Sequence, residues 1–233
     1  MARSAYQPPT RFSVFPPIIK NLLILNGLFF MALLTPPLGS ILFEWLALWP
    51  LGISEAAARL GAFGGGQGLQ ELGSFWPWQL VSYAFLHGSM GHLFINMFAL
   101  WMFGVQIENV WGSRRFGIYY FACVIGAGLV QMTVAYVTGS FAPTVGASGG
   151  VFGILLAFGM MFPDQPIYIY FLFPVKAKWL VIGYGLFELY AGVAGAQSQV
   201  ANFAHLGGMV FGFFLIQYWR GKLPWKPDRQ MWR

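Results

Sequence analysis

The sequence predicts an all-α membrane protein: a bundle of six transmembrane helices with a long, membrane-associated first external loop. Composition, the lengths of the apolar segments and the placement of the basic residues carry that reading. Of 233 residues, 58% are hydrophobic and 9% charged, and the mean hydropathy is +0.63. A soluble domain carries about 25% charged and about 45–50% apolar residues. So few charges cannot cover a soluble protein of this size. A disordered tail, a nucleic-acid module and a secreted disulfide scaffold are excluded on the same ground, and the one cysteine, Cys123, has no internal partner to bridge to.

A hydrocarbon core about 30 Å thick needs roughly 20 apolar helical residues. The first helix is expected over 18–34, entered through Pro16-Pro17 and stopped by Thr35-Pro36-Pro37. Charged residues and prolines precede it, which sets it apart from a cleaved signal peptide. The connection over 35–88 is too long for a turn. Its apolar pieces, Leu38–Leu51 and Trp76–Leu86, are expected on the outer leaflet with Trp76 and Trp78 at the interface, either side of a flexible Gly64-Gly65-Gly66. Further helices are expected over 89–108, 116–137, 148–162 (ended by Pro163-Asp164), 179–196 and 203–218. Residues 1–17 and 221–233 form tails around a membrane domain over 18–220.

Twelve of the thirteen Lys and Arg fall in the tails or in the connections after the second and fourth helices; Arg59 alone lies on the other side, with Glu44, Glu55 and Glu71. Positive loops resist translocation, so both termini are expected in the cytoplasm of a multi-pass protein of the cell (inner) membrane. The net charge of +6 is then an orientation signal, and its expected partner is anionic lipid in the bilayer, with no role for nucleic acid.

Polar residues at apolar depth are costly unless paired or working. His87, His92 and Asn96 stand at the start of the second helix, Ser148 opens the fourth, His205 opens the sixth and Glu188 lies within the fifth. Helix four, at 15 residues, is about 22 Å long, so with Pro163-Asp164 at the cytoplasmic face Ser148 starts roughly 8 Å below the external one. Irregular backbone over 143–147 survives there only if shielded or lining a water-filled cavity. Three helices thus bring Ser, His, His and Asn to similar depth.

That set suits acyl transfer. His205 is placed to take the proton of Ser148. The Ser148 N–H at a helix start, the Asn96 amide and the His92 imidazole are expected to face an oxyanion. Asp164 is about 24 Å from Ser148 along one helix, and Glu108 lies at the cytoplasmic end of helix two, so no carboxylate is expected to complete a triad. Glu188 is expected to be a protonated or hydrogen-bonded interhelical group, the alternative being a proton relay in a transporter. Small-residue faces, Gly149 with Gly153 and Gly208 with Gly212, are expected to let helices four and six approach closely. His87 and His92, five residues apart and without a third ligand, do not read as a metal site.

These residues resemble those of the rhomboid intramembrane serine proteases in their minimal six-helix bacterial form. The resemblance rests on His87-x4-His92-x3-Asn96, Gly146-Ala147-Ser148-Gly149, Ala204-His205-x2-Gly208-x3-Gly212 and Gly112-Ser113-Arg114, and covers roughly 18–220. It implies Ser148 as nucleophile, His205 as base, His92 and Asn96 at the oxyanion and His87 in support. It implies no cofactor and no metal, transmembrane proteins as substrates, a site open to the external or periplasmic side, and a mobile cap over about 197–203. Some members stack a tyrosine on the histidine where this chain has Phe152, and carry Trp-Arg where this chain has Trp78-Gln79. A non-proteolytic relative that binds transmembrane helices is the alternative, and it has no need of both Ser148 and His205.

Overall fold

The computed structural model describes residues 12–52, 73–169, 172–195 and 201–225. The chain forms α1 (Pro17–Leu33), α2 (Leu38–Leu46), α3 (Gln79–Ser82), a 3-10 turn (Tyr83–Phe85), α4 (Met90–Trp111), α5 (Ser113–Thr138), α6 (Ser148–Met161), β1 (Pro166–Ile169), β2 (Phe173–Lys176), α7 (Ala177–Ala194) and α8 (Asn202–Trp219). A helix stands at each of the six expected ranges, with the second extended to Trp111. By length and apolarity alone α4 and α5 suffice to cross a membrane, while α1 and α6 are apolar but shorter. In α8 the polar Asn202, His205 and Gln217 dilute the apolar run.

The all-α expectation needs one correction. Between α6 and α7, β1 and β2 pair as an antiparallel hairpin, with Pro166 opposite Lys176 and Ile167 opposite Val175. Aromatic and β-branched residues crowd this stretch, which favours extended backbone. Beside it Asp164 accepts from Lys178 at 2.9 Å and lies 3.2 Å from Lys176. The Lys178 hydrogen bond, then Lys176, hold the Asp164 carboxyl below the ordinary carboxylate range.

The bundle exposes large apolar side chains and buries several polar ones within an apolar core. Ile24, Leu28, Phe94, Ile95, Leu186 and Val193 are exposed, whereas Asn26, Asn96, Glu108, Asn109, Glu188 and His205 are buried. Such a surface is matched by lipid. At the centre α5 packs against both α6 and α8, and α7 leans on α6 and α8 from the periphery.

Buried carboxylate is compensated by helix geometry. The first N–H groups of a helix have no intrahelical acceptor, and here Glu108, at the end of α4, accepts from Ile18 N and Ile19 N at 2.9 Å each. It also accepts from Ser113 Oγ at 2.6 Å. A carboxyl side chain on α4 thereby sets the start of both α1 and α5, and Gly112, at φ +77°, joins α4 to α5.

The apolar pieces of the first connection are shorter than expected, and residues 53–72, with the Gly64-Gly65-Gly66 stretch and Arg59, lie outside the described residues. Gln79 binds the described parts together. Its Oε1 accepts from Trp49 N and Trp76 N at 3.3 and 3.2 Å, and its Nε2 donates to Trp45 O and Ser74 O at 3.3 and 3.1 Å. The rings of Trp76 and Trp78 stack 5.0 Å apart, with Trp45 alongside.

Candidate active site

Three backbone constraints place Ser148. Leu48 and Thr144 exchange N–H···O bonds of 3.0 and 2.9 Å, pinning the approach to α6 against the first connection. Gly146 N donates to Tyr83 O at 2.9 Å. Gly146 itself adopts φ +122°, and a Cβ there would lie 2.7 Å from His92 Cε1 and 3.8 Å from Ser148 Oγ. Only glycine serves, both for the backbone angle and for the space. The turn delivers Ser148 as the first residue of α6, where N–H groups and the helix dipole point at any developing negative charge.

Small residues bring α8 alongside. A Cβ on Gly208 would land on the carbonyl of Gly149. Cβ atoms on Gly149 and Gly153 would also come within 3.6 and 3.3 Å of the Ala204 and Gly208 carbonyls of α8, as expected, though they would meet Ala127 and Cys123 of α5 more closely; one on Gly212 would meet Tyr119 of α5. Gly212 therefore serves the α5–α8 contact. Tyr119 also ties α5 to α6 by donating to Gly153 O at 2.7 Å.

The close approach sets His205 Nε2 2.8 Å from Ser148 Oγ. Phe152, one turn after Ser148, stacks on the His205 ring with centroids 4.3 Å apart and planes 4° apart. His92 flanks Ser148 across Gly146, and His87 meets the His92 ring edge-on at 5.0 Å. Asn96 is buried one turn further along α4 and donates to His92 O at 2.9 Å. His205, Phe152 and His92 thus stand around the start of α6, with Asn96 and His87 linked to it through His92, while residues 197–200 of the expected cap over 197–203 lie outside the described residues.

Residue Glu188 was not expected here. Its Oε2 accepts from Asn202 Nδ2 at 2.6 Å and lies 3.0 Å from His205 Nδ1. The carboxylates weighed for a triad, Asp164 and Glu108, did not include Glu188, which lies beside His205 and also bonds between helices as expected. Asn202 had no place in the sequence reading. Counting turns would have found the acid: Glu188 stands six residues before the end of α7, about 9 Å from it, close to the depth reckoned for Ser148.

A separate cavity of about 540 Å³ opens between α1, α2 and the start of α4, with Phe30, Leu33, Phe43, Leu86 and His87 in its walls. Ser148 does not line it.

The rhomboid domain family model matches residues 75–221, which contain His87, His92, Asn96, Ser148, Phe152, Glu188, Asn202 and His205. The chain belongs to the rhomboid family. It is similar to the presenilin-associated rhomboid-like protein, mitochondrial, of Rattus norvegicus, at 33% identity over 150 residues covering 61% of this chain and 38% of the relative. It is also similar to rhomboid protease GluP of Bacillus subtilis, at 31% identity, covering 70% of this chain and 30% of the relative. Rhomboid protein 1, mitochondrial, of Saccharomyces cerevisiae matches at 32% identity, covering 57% of this chain and 39% of the relative. The chain thus spans well under half the length of these rhomboid relatives. Membership agrees with the lipid-matched surface, since rhomboids are membrane-embedded. Where some rhomboids carry Trp-Arg, Gln79 supplies two acceptor and two donor contacts to the loop.

Proposed function

We propose that this rhomboid is an intramembrane serine endopeptidase that cleaves transmembrane segments of other membrane proteins through an acyl-enzyme. The 2.8 Å approach of His205 Nε2 to Ser148 Oγ carries the reading. A serine hydroxyl is a weak nucleophile until a base removes its proton. His205 accepts that proton as Oγ attacks the scissile carbonyl, then returns it to the leaving amine as the C–N bond breaks. Water, activated by the same imidazole, hydrolyses the ester and frees Ser148. The oxyanion is assigned to the Ser148 N–H, His92 and Asn96, with His87, Gly146, Gly149, Phe152, Gly208 and Gly212 holding the arrangement. No step calls for a metal or cofactor.

The membrane arrangement is part of the proposal. α1, α4, α5, α6, α7 and α8 are the six spans of a membrane domain over 18–220, with tails over 1–17 and 221–233 in the cytoplasm. The site opens to the external or periplasmic side of a cell membrane. Support comes from the one-sided basic residues and from Ser148, His92 and His205 all lying near the helix ends opposite those residues. The mitochondrial names of two relatives belong to those proteins.

The test uses the full chain in detergent, a tagged single-span substrate and a serine-directed phosphonate. Wild type should cleave and be labelled at Ser148, and Ser148→Ala and His205→Ala should do neither. Cleavage surviving in Ser148→Ala sinks the proposal. A wild type that binds the substrate helix but is neither active nor labelled makes the chain a non-proteolytic rhomboid.

A further inference from the structure

The acid on α7 has more to do than join two helices. Glu188 and His205 side chains are 7% and 11% exposed, and their closest atoms, Oε2 and Nδ1, are 3.0 Å apart. Asn202 Nδ2 holds the same Oε2 at 2.6 Å. On the far side of the ring, Nε2 meets Ser148 Oγ at 2.8 Å, while Phe152 covers its face. The imidazole is therefore bounded at both nitrogens and on one face by α7, α6 and its own helix.

A buried carboxylate in a membrane bundle is costly unless a positive or donating group compensates it. Asn202 supplies one neutral donor. The remaining partner is Nδ1, which donates in the tautomer that leaves Nε2 free to accept, and bears part of a positive charge once Nε2 is protonated. A Glu–Asn bond alone would be served as well by Gln. Nδ1 has no aligned hydrogen bond in this arrangement; catalytic hydrogen bonds are often misaligned without substrate and tighten as charge develops.

We infer that Glu188 is the positioning residue of a Glu188–His205–Ser148 chain, holding His205 with Nδ1 protonated and stabilising the imidazolium that forms when Ser148 gives up its proton. This rests on the serine endopeptidase reading above. It places the third member of the chain on α7, where Leu186, Phe187, Leu189 and Tyr190 around it are exposed on the outer surface. The approach distance then depends on how α7 packs against α8.

The titratable groups facing His205 are few. His92 comes from α4, flanking Ser148 across Gly146; Ser148 comes from α6 and Glu188 from α7. Tyr184 of α7 meets the Phe152 ring edge-on at 6.0 Å. Beyond Arg115, α5 has no charged residue. A change at Glu188 is thus read chiefly through His205.

The experiment compares wild type, Glu188→Gln and Glu188→Asp as full chains in detergent. It measures kcat, KM and the rate of phosphonate labelling across the histidine range, about pH 5 to 8. Glu188→Gln should lower kcat and the labelling rate by roughly 10- to 1,000-fold, below the about 10⁴-fold loss for the aspartate of a soluble triad, with KM nearly unchanged. Losing the negative charge disfavours the imidazolium, so the acidic limb of kcat/KM should move to lower pH. Glu188→Asp should restore the wild-type midpoint and part of the rate. A merely structural Glu188 would change the folded yield and leave that midpoint in place. A folded Glu188→Gln with wild-type rate and midpoint overturns the inference and leaves the endopeptidase reading intact. An unlabelled wild type overturns both. If Glu188→Gln does not fold, nitrogen-15 NMR of histidine-labelled wild type decides: a downfield Nδ1 proton on His205, assigned by its loss in His205→Ala, supports the inference, and the Nε2–H tautomer overturns it.

Discussion

Phe152 and His205 stack nearly parallel, with ring planes 4° apart and centroids separated by 4.3 Å. The contact needs only an aromatic face, so the hydroxyl of the tyrosine found in some rhomboids is dispensable to it. An aromatic pair adds about 0.5–1.5 kcal/mol beyond burial. Phe152→Ala should therefore slow phosphonate labelling of Ser148 by roughly 3- to 10-fold, taking about 1.4 kcal/mol per factor of ten. Phe152→Tyr should stay within about two-fold of wild type. Equal labelling of the alanine variant and wild type would remove the stack from the mechanism.

Gly208 and Gly183 offer a matched pair. A Cβ at 208 would strike the Gly149 carbonyl, whereas one at 183 meets nothing within 4 Å. Gly208→Ala should push α8 from α6, separate His205 from Ser148 and abolish cleavage, with a lower Tm in detergent. Gly183→Ala should keep full activity and gain up to about 1 kcal/mol from helix propensity. Thermal unfolding and cleavage of the two variants side by side check this.

Glu108 should matter for stability and little for chemistry. It receives three hydrogen bonds, yet stands 16 residues along α4 from His92, about 24 Å away. Glu108→Ala should cost about 2–4 kcal/mol, because two helix N–H groups, one of them buried, lose their acceptor. The folded fraction should cleave at the wild-type kcat. A thermal melt paired with active-site titration separates the two effects.

Much of this was legible along the chain. Pro16-Pro17, Thr35-Pro36-Pro37 and Pro163-Asp164 bracket apolar runs, and α1 and α6 end within a residue or two of them. Ser148, His205 and His92 were legible because polar residues in apolar segments are conspicuous when most neighbours are Phe, Leu, Gly or Ala. The β1–β2 hairpin was not, since its short apolar run has no periodicity that separates strand from helix. Asn26 was passed over because an amide within one helix carries no charge to draw attention.

Sequence by itself determined the membrane class, the helix positions and the identity of the serine and histidine that meet. Those follow from composition and local pattern, which each segment carries without its neighbours. Tertiary structure alone decided which glycine faces which helix and that Glu188 reaches Nδ1 of His205. Both depend on the rotation of α7 and α8 about their axes and on how closely they pack. A helix sequence sets which residues share a face, but only its packed neighbours decide what that face meets.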